Sequence, residues 1–415
     1  MKNKKNVAFL VMRYGDDING GAEYHCRMLA ERLVPYYNVE VLTTCVKDYI
    51  SGGNVYSPGT EILNGVVVRR FIADPDDREK EGYCFYKSRK SRRIRSFLYK
   101  MHLLTPLSYI FPLWTYRLSW ELQQMKSNVF YSTSLFSYIR DNKENYNAIL
   151  AFSVEFPLVY YAALYAPERT IIIPTMHYCE MSFRSVMTHI FSRVAYIGFN
   201  TIAEQKLGRR LVGRSIAPNG IISVGIEVSH AANWDRVKKD FQLPDGYLLY
   251  VGRVDAAKLN DIIAYFINYK KQYPTSNLKF VLLGGLFMDK IERDDIIYTG
   301  FVSDEVKTTI IQHADLVVNP SLYESLSLIL LETLTLGAPM IVNGRCAVLK
   351  EHCRLSQGAV DFYMDERQFI TKLNKLETTP SSRRAEIVEL GQRYVKENYD
   401  WSLIMSRLQR VIESI

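Results

Sequence analysis

The feature that most constrains the fold is a repeated alternation of short apolar runs with amphipathic segments along the 415 residues. The runs have the length of strands, and the segments between them have the apolar spacing of helices with one buried face. Parallel strands covered by helices on both faces are buried, so they read as continuous apolar runs. The sequence therefore predicts an α/β protein with largely parallel sheets.

The alternation falls into two blocks, so we predict two Rossmann-like domains. The predicted strands are residues 7–12, 39–44, 148–152, 170–174 and 194–199, then 247–251, 280–283, 316–318 and 340–343. A hairpin is predicted over residues 62–71, with Asn64 and Gly65 as its turn. The stretch 214–229 is rich in glycine, proline and small residues, as linkers are. The predicted domains are residues 1–214 and 230–397, joined by a linker at 215–229. Substrate is expected in a cleft between them, outside the carboxyl ends of both sheets.

Composition excludes several classes of protein. Hydrophobic residues make up 48% and charged residues 23%, which is typical of globular chains. A net charge of +8 is modest for this length and does not predict a nucleic-acid partner. The six cysteines are scattered without a CxxC pair, so we expect reduced thiols, no metal centre and a cytoplasmic location. The apolar runs at 7–12 and 103–116 are too short for a signal peptide or a membrane span.

Three segments carry candidate site residues. Gly20 and Gly21 precede a predicted helix, where backbone N–H groups can approach an anion, although the same pair could simply form a flexible loop. Arg253 and Lys258 follow a predicted strand and could neutralise a diphosphate, or could be solvated charges at a turn.

The third segment, residues 319–339, places Glu324 in a loop and Glu332 in the helix that follows. Carboxylates accept hydrogen bonds from sugar hydroxyls, and amides at a helix start can face the same ligand. Either glutamate alone would be read as an ordinary helix or core residue. The pair suits a ribose and a hexose that lie side by side.

In combination these segments resemble the family-4 retaining glycosyltransferases of GT-B fold. The shared motifs are Gly20-Gly21-Ala22-Glu23, Val251-Gly252-Arg253 with Lys258, Pro320-Ser321-Leu322-Tyr323-Glu324 through Glu332, and Gly300-Phe301-Val302. Residues 42–45 and 342–346 also resemble a subgroup from bacterial surface-polysaccharide gene clusters. The resemblance implies two Rossmann-like domains that face each other across a cleft. The first would hold the acceptor and the second the nucleotide sugar, with a C-terminal helix at 398–415 packed back on the first domain.

The resemblance also implies a role for each matching residue. Arg253 and Lys258 would hold the donor diphosphate, and Glu332 the ribose. The transferred sugar would be held by Glu324 and the amides of residues 325–327, which are Ser325, Leu326 and Ser327. Phe301 and Val302 would cup the base, Gly20 and Gly21 would contact phosphate, and His177 would lie near the anomeric carbon. No cofactor and no metal are implied.

The expected activity is the transfer of a hexose-type sugar to a glycan or lipid-linked acceptor with retention of configuration. Two other readings remain open, a nucleotide-sugar epimerase of the same fold and a non-catalytic sugar-nucleotide binding module. The chain departs from the family at residues 325–327, where Gly-Phe-Gly is usual, and this predicts a narrower sugar pocket. The hinge motif has two registers, 218–221 and 224–227.

A basic stripe at residues 87–100, which holds seven basic residues and no acidic one, is followed by an aromatic segment up to residue 120. Such a stripe predicts either peripheral docking on the anionic inner face of the cell membrane or a solvated helix beside a core helix.

Overall fold

The apolar runs of the first block pair with one another to form one sheet. The computed structural model describes residues 4–18, 20–377 and 381–415, and its contacts divide the chain into two units. The first unit extends to Val224 and includes Ile404–Ile415, and the second is Gly225–Leu403. Asn19, which falls in the predicted glycine loop, lies outside the described residues.

Among the described residues, the first unit has an eight-stranded sheet in the order β3-β4-β2-β1-β5-β6-β7-β8. Its strands are β1 (Asn6–Leu10), β2 (Asn38–Thr44), β3 (Gly59–Leu63), β4 (Val66–Phe71), β5 (Ala148–Phe152), β6 (Thr170–Ile173), β7 (Tyr196–Phe199) and β8 (Asn219–Ile221). Its helices are α1 (Gly21–Leu33), α2 (Arg78–Lys100), α3 (Leu104–Leu107), α4 (Leu118–Lys126), α5 (Thr133–Asn142), α6 (Pro157–Tyr165), α7 (Val186–Phe191) and α8 (Ile202–Val212). The paired strands run parallel except for β3 and β4.

The antiparallel pair is the predicted hairpin. Leu63 pairs with Val66, so the loop consists of Asn64 and Gly65 alone. Both turn residues have positive φ, 50° and 80°. That is the conformation required by the tight turn that matches the twist of two antiparallel strands, and asparagine followed by glycine favours it.

The second unit has a six-stranded sheet, counted over the described residues, in the order β11-β10-β9-β12-β13-β14, and every pair is parallel. Its strands are β9 (Tyr247–Val251), β10 (Lys279–Leu283), β11 (Ile296–Gly300), β12 (Leu316–Asn319), β13 (Met340–Asn343) and β14 (Val360–Tyr363). Its helices are α9 (Trp234–Asp240), α10 (Ala256–Leu259), α11 (Ile262–Gln272), α12 (Asp304–Gln312), α13 (Leu328–Leu336), α14 (Ala347–Leu355), α15 (Glu366–Glu377) and α16 (Ser381–Tyr399). The last helix, α17 (Trp401–Glu413), belongs mostly to the first unit.

The structure differs from the prediction around the linker. Residues 219–221, placed in the linker on sequence grounds, form strand β8, which pairs with β7 at the edge of the first sheet. The units divide between Val224 and Gly225, inside the predicted linker range of 215–229. Near the end of the chain, Glu413 pairs with Lys5 at 2.7 Å and accepts a hydrogen bond from Tyr37 within the first unit.

The predicted basic stripe is not one continuous surface. Its residues lie on α2, where Arg92 and Arg95 are 1% and 0% exposed. Arg95 donates hydrogen bonds to the carbonyls of Phe183 and Leu211, at 3.2 and 2.8 Å, and Arg92 pairs with Glu180 at 3.0 Å. These two arginines therefore make buried contacts within the first unit and are not part of its exposed surface.

The exposed face of α2 carries Lys90, Arg93, Phe97 and Lys100, which recur at helical spacing. In the described part of the chain, no helix has the length and apolar character needed to cross a membrane.

Candidate functional site

Strand order in the second unit reverses between β9 and β12, which are neighbours in the sheet although they are far apart in sequence. Chains leave such neighbouring strands in opposite directions, which opens a crevice at their carboxyl ends where ligands bind in open α/β sheets. Most of the residues assigned to the donor follow these strands.

The loop after β9 is shaped by two glycines that approach closely. Gly252 and Gly284 have φ of 147° and 139°, and a Cβ on Gly284 would lie 2.0 Å from the carbonyl oxygen of Gly252. The amide of Gly252 donates to the carbonyl of Leu283 at 2.9 Å, which joins the loop to the end of β10. Only glycine fits both conformations, so this backbone fixes the direction in which the chain continues.

Arg253 and Lys258 project from the turn that follows, and Asp255 ties the turn together. Its carboxylate accepts the backbone N–H of Lys258 at 2.9 Å at the start of α10 and forms an ion pair with Arg253. Burial opposes the charged form of Asp255, but the Lys258 amide and the Arg253 guanidinium outweigh it and lower its pKa. The side chains of Arg253 and Lys258 are 59% and 41% exposed, so both cations are accessible to an anion.

Lys258 and Glu324 come together at the reversal point. The Lys258 Nζ lies 3.8 Å from the Glu324 Oε1, and the Glu324 side chain is 19% exposed. The carbonyl of Pro320, in the loop after β12, accepts hydrogen bonds from the side chains of Asn260 at 2.7 Å and Asn343 at 3.1 Å. The loops after β9, β12 and β13 are therefore fixed to one another, with a cation and a carboxylate side by side.

The departure from the family at residues 325–327 has a structural consequence. Ser327 adopts a left-handed conformation, with φ of 74°, immediately before α13 begins. That conformation costs roughly 1 kcal/mol for a residue other than glycine. The Asn319 side-chain amide donates to the Ser327 hydroxyl at 3.0 Å and holds it there. Serine thus adopts a backbone conformation here that favours glycine.

Behind this turn, His352 supports the peptide of Leu326. Its Nε2 lies 2.7 Å from the Leu326 carbonyl oxygen, and its Nδ1 lies 2.8 Å from the Tyr394 hydroxyl. Burial lowers the pKa of His352 to about 4, so the ring is neutral at physiological pH. A neutral ring can donate to the carbonyl through Nε2 and accept from the hydroxyl through Nδ1, which satisfies both nitrogens.

Glu332 lies within α13 and faces a cation that the sequence analysis did not identify. Lys307 Nζ on α12 is 3.3 Å from Glu332 Oε2 and 3.0 Å from Asp304 Oδ1. Burial raises the pKa of Glu332, and the Lys307 ammonium partly offsets that rise. Burial also opposes the charge on Lys307, yet the two carboxylates together raise its pKa.

Phe301 and Val302 follow β11, two strands from β9. Phe301 is 72% exposed, and a Cβ on Gly285 would lie 2.4 Å from its ring. An exposed aromatic ring above a glycine at this edge of the sheet can stack on a flat base.

In the first unit, Gly20 and Gly21 stand at the N-terminus of α1. Glu23 turns back over the start of the helix and pairs with Arg13 Nη2 at 2.6 Å, and a Cβ on Gly20 would lie 2.1 Å from the Glu23 carboxylate. A Cβ on Gly21 would meet open space. Gly20 therefore makes room for the ion pair, and Gly21 leaves its side of the helix N-terminus accessible.

His177 follows β6 and lies beside two residues that the prediction did not include. One ligand atom each from Glu155, His177 and Cys179 lies within 4.8 Å of the others, and all three side chains are half-buried. The loop is fixed from beneath by Glu204, whose carboxylate accepts the backbone N–H of Met176 at 2.7 Å and of Asn200 at 2.6 Å. Burial raises the pKa of Glu204 to about 8.

The sequence contains an Asp-Pro-Asp triplet at residues 74–76, a pattern that can hold divalent metals in other transferases. Here Asp74 accepts hydrogen bonds from the amide and hydroxyl of Thr133, at 3.2 and 2.5 Å, and Asp76 pairs with Arg78 at 2.9 Å. Both carboxylates therefore take part in local structure.

Sequence reasoning missed Lys307, Glu204 and His352. The spacing Thr201-x-x-Glu204 is a helix-start signature that could have indicated Glu204, since the Thr201 hydroxyl accepts the Glu204 amide at 3.1 Å. Lys307 and His352 had no comparable signal, because the contact of Lys307 with Glu332 and the contacts of His352 depend on how segments distant in sequence pack.

Parts of this sequence are similar to known proteins. Residues 245–377 match the family described as Glycosyl transferases group 1. An uncharacterized 41.2 kDa protein in the cps region of Klebsiella pneumoniae is 30% identical over 116 residues. That match covers 26% of this chain and 32% of the relative, so the chain spans about one third of the relative's length.

Two solved structures are similar over nearly the whole chain. The first is sucrose-phosphate synthase from Thermosynechococcus elongatus, with a TM-score of 0.67, 14% identity and 99% of both chains covered. The second is HepE of Anabaena in complex with UDP and glucose, with a TM-score of 0.65 and 13% identity, where the match covers 99% of this chain and 100% of HepE. At these identities the likeness shows the fold. The predicted α/β class, the two parallel-sheet units and the GT-B resemblance are confirmed.

Proposed function

We propose that this chain, which has the GT-B fold and carries a glycosyl transferases group 1 domain, moves a hexose from a nucleoside diphosphate donor to a glycan or lipid-linked acceptor. The observation that carries the proposal is the pair of Lys258 and Glu324 at the strand reversal, 3.8 Å apart. A cation and a carboxylate placed there suit a ligand that carries a phosphate beside a polyhydroxylated ring.

The donor occupies the second unit in this proposal. Arg253 and Lys258 neutralise the charge that develops on the diphosphate as it leaves, the contribution that a divalent metal makes in other transferases. Glu324 and the amides of residues 325–327 hold the sugar. Glu332 binds the ribose, and Phe301 with Val302 covers the base. Turnover then needs no divalent metal.

The first unit contributes Gly20 and Gly21 as phosphate contacts and His177 beside the anomeric carbon. The acceptor oxygen forms a bond to the anomeric carbon while the bond from that carbon to the diphosphate oxygen breaks on the same face. The hydroxyl proton passes to the departing phosphate oxygen. The product keeps the configuration of the donor.

The acceptor belongs to surface-polysaccharide synthesis in this proposal. The support is the partial match to a protein of a cps region. A second support is the surface around α2, where Tyr86, Lys87, Arg89, Lys90, Arg93 and Arg117 line an open recess of about 560 Å³. Ile110 and Phe111 are 71% and 62% exposed in the segment before Arg117. Basic and apolar groups together favour the surface of an anionic membrane, so we propose a cytoplasmic protein that docks peripherally there.

Calorimetry with a panel of nucleoside diphosphates tests the donor site directly. The wild-type protein should bind one diphosphate clearly more tightly than the others and more tightly than its monophosphate. Lys258→Ala should reduce that preference for the diphosphate, whereas Lys290→Ala, at an exposed lysine of the same unit, should not. Equal binding of diphosphate and monophosphate by the wild type would contradict the assignment.

A further inference from the structure

The loops that leave β5 and β6 bring a carboxylate, an imidazole and a thiol together in the first unit. Glu155 follows β5, and His177 and Cys179 follow β6, its neighbour in the sheet. One ligand atom from each lies within 4.8 Å of the other two, and the Cys179 Sγ is 3.5 Å from the Glu155 Oε1. Oxygen, nitrogen and sulfur are the three donor types that zinc accepts in proteins.

The spacing can be compared with the geometry of a tetrahedral zinc ion. Bonds of about 2.0–2.3 Å at tetrahedral angles place neighbouring ligand atoms about 3.4–3.6 Å apart. The pair formed by Cys179 and Glu155 already has this separation. The His177 ligand nitrogen lies within 4.8 Å of both, so the three atoms have nearly the spacing of one face of a tetrahedral site.

The backbone of both loops is held by buried side chains. Ser182, which is fully buried, donates its hydroxyl to the carbonyl of His177 at 2.6 Å. Arg184, which is 1% exposed, donates to the carbonyl of Glu155 at 2.8 Å. Ligands on fixed loops do not have to be ordered when the ion binds, and this favours affinity. The Arg184 guanidinium is a positive charge that disfavours a metal ion beside it, and the Glu155 carboxylate, which interacts with Arg184, offsets part of that charge.

We propose that Glu155, His177 and Cys179 form a binding site for Zn²⁺, with the fourth position open to water. The Cys179 thiol binds as the thiolate, and its proton is released to solvent. The consequence for activity rests on the proposed function. A zinc ion bound to the His177 imidazole prevents the imidazole from contacting the anomeric carbon, so zinc inhibits sugar transfer.

Binding is measured on the full chain without donor or acceptor, so its failure is distinct from a failure of the proposed activity. The chelator-treated protein is titrated with Co²⁺, a spectroscopic substitute for zinc, and the thiolate-to-cobalt charge-transfer band is recorded in the near ultraviolet. Calorimetry with Zn²⁺ gives the affinity and stoichiometry. Cys179→Ser and His177→Gln are compared with Cys353→Ser, a cysteine on α14 of the second unit.

The wild type and Cys353→Ser should bind one equivalent and show the band. Cys179→Ser should lose the band, and both site variants should bind zinc about 100-fold more weakly or worse, since even outer-shell partners cost 10–100-fold. Circular dichroism checks that each variant is folded. A band of equal strength in folded Cys179→Ser, or zinc affinity that His177→Gln leaves unchanged, would overturn the proposal.

Discussion

The ammonium of Lys307 lies 3.3 Å from the carboxylate of Glu332, and the two come from consecutive helices of the second unit, α12 and α13. A carboxylate buried to this degree would tend to take up a proton. Lys307 favours the charged form, which accepts hydrogen bonds from hydroxyl groups. Lys307 is therefore a positioning residue for the carboxylate assigned to the ribose.

Changing either partner should weaken nucleoside-diphosphate binding. We expect Glu332→Gln and Lys307→Met each to raise the Kd about tenfold, with a smaller effect on kcat, because the ribose does not change during the reaction. The double variant should cost little more than either single one, since both remove the same interaction. Calorimetry measures the Kd, with Lys290→Met as the matched control. Additive losses in the double variant would show that the two residues act separately.

Glu324 should behave differently from Glu332. It is assigned to the sugar that is transferred, where positive charge develops at the anomeric carbon. Glu324→Gln should therefore lower kcat by 10²-fold or more, on the order of 3 kcal/mol. Affinity for the free diphosphate, which lacks the sugar, should stay within about twofold of wild type. An equal loss of diphosphate affinity in Glu324→Gln and Glu332→Gln would contradict this division of roles.

Glu204 predicts a pH dependence of stability. Its pKa is raised to about 8 in the folded chain, above the ordinary value of 4.5. The stabilisation that it contributes is fully present below about pH 4.5 and is lost as the pH rises through 8, by up to about 1.4 kcal/mol per pH unit. Glu204→Gln removes this titration and keeps one acceptor oxygen. The Tm of wild type relative to the variant should fall between pH 5 and pH 8. A Tm difference that is flat over this range would show that Glu204 does not titrate there.

Membrane docking is tested by reversing the exposed charges of α2. Reversing Arg92 or Arg95 would disrupt buried contacts, so the informative set is Lys90, Arg93 and Lys100 on the exposed face of α2. Changing all three to Glu should abolish co-sedimentation with anionic vesicles, and salt should weaken wild-type binding.

The control makes the same charge change on the second unit, at Arg236, Lys239 and Lys271, which are also exposed. It should sediment as wild type does. Equal vesicle binding by both triple variants would leave the exposed face of α2 as a solvated helix.

The sequence predicted those parts of the fold that depend on local signals. Asn64 and Gly65 define a hairpin turn because few residue pairs accept two positive φ angles, and the buried strands read as apolar runs. Strand β8 was missed because it is three residues long and contains Gly220, within a stretch that has the composition of a linker.

At the candidate site, too, only some of the contacts could be predicted from the sequence, because the others depend on packing. The family resemblance implied that Lys258 and Glu324 belong to one site, and in the structure they lie 3.8 Å apart at the strand reversal. Charge composition could not separate Arg92 and Arg95 from Arg93, since that depends on which face of α2 is packed. The contact of Lys307 with Glu332 and those of Glu155 depend on tertiary packing, so no pattern along the chain indicated them.

Metal-independent, retaining sugar transfer can be tested by following nucleoside-diphosphate release and the product together, with a panel of nucleotide sugars and in the presence of a chelator. We expect one donor to be consumed when a glycan or lipid-linked acceptor is supplied, and proton NMR to show the donor's anomeric configuration in the product. Arg253→Ala and Lys258→Ala should each lower kcat/KM by 10²-fold or more, about 3 kcal/mol, while Arg293→Ala, in an ion pair elsewhere in the unit, should not. Diphosphate release that needs no acceptor and yields an epimerised free sugar, or activity that a metal must restore, would contradict the account.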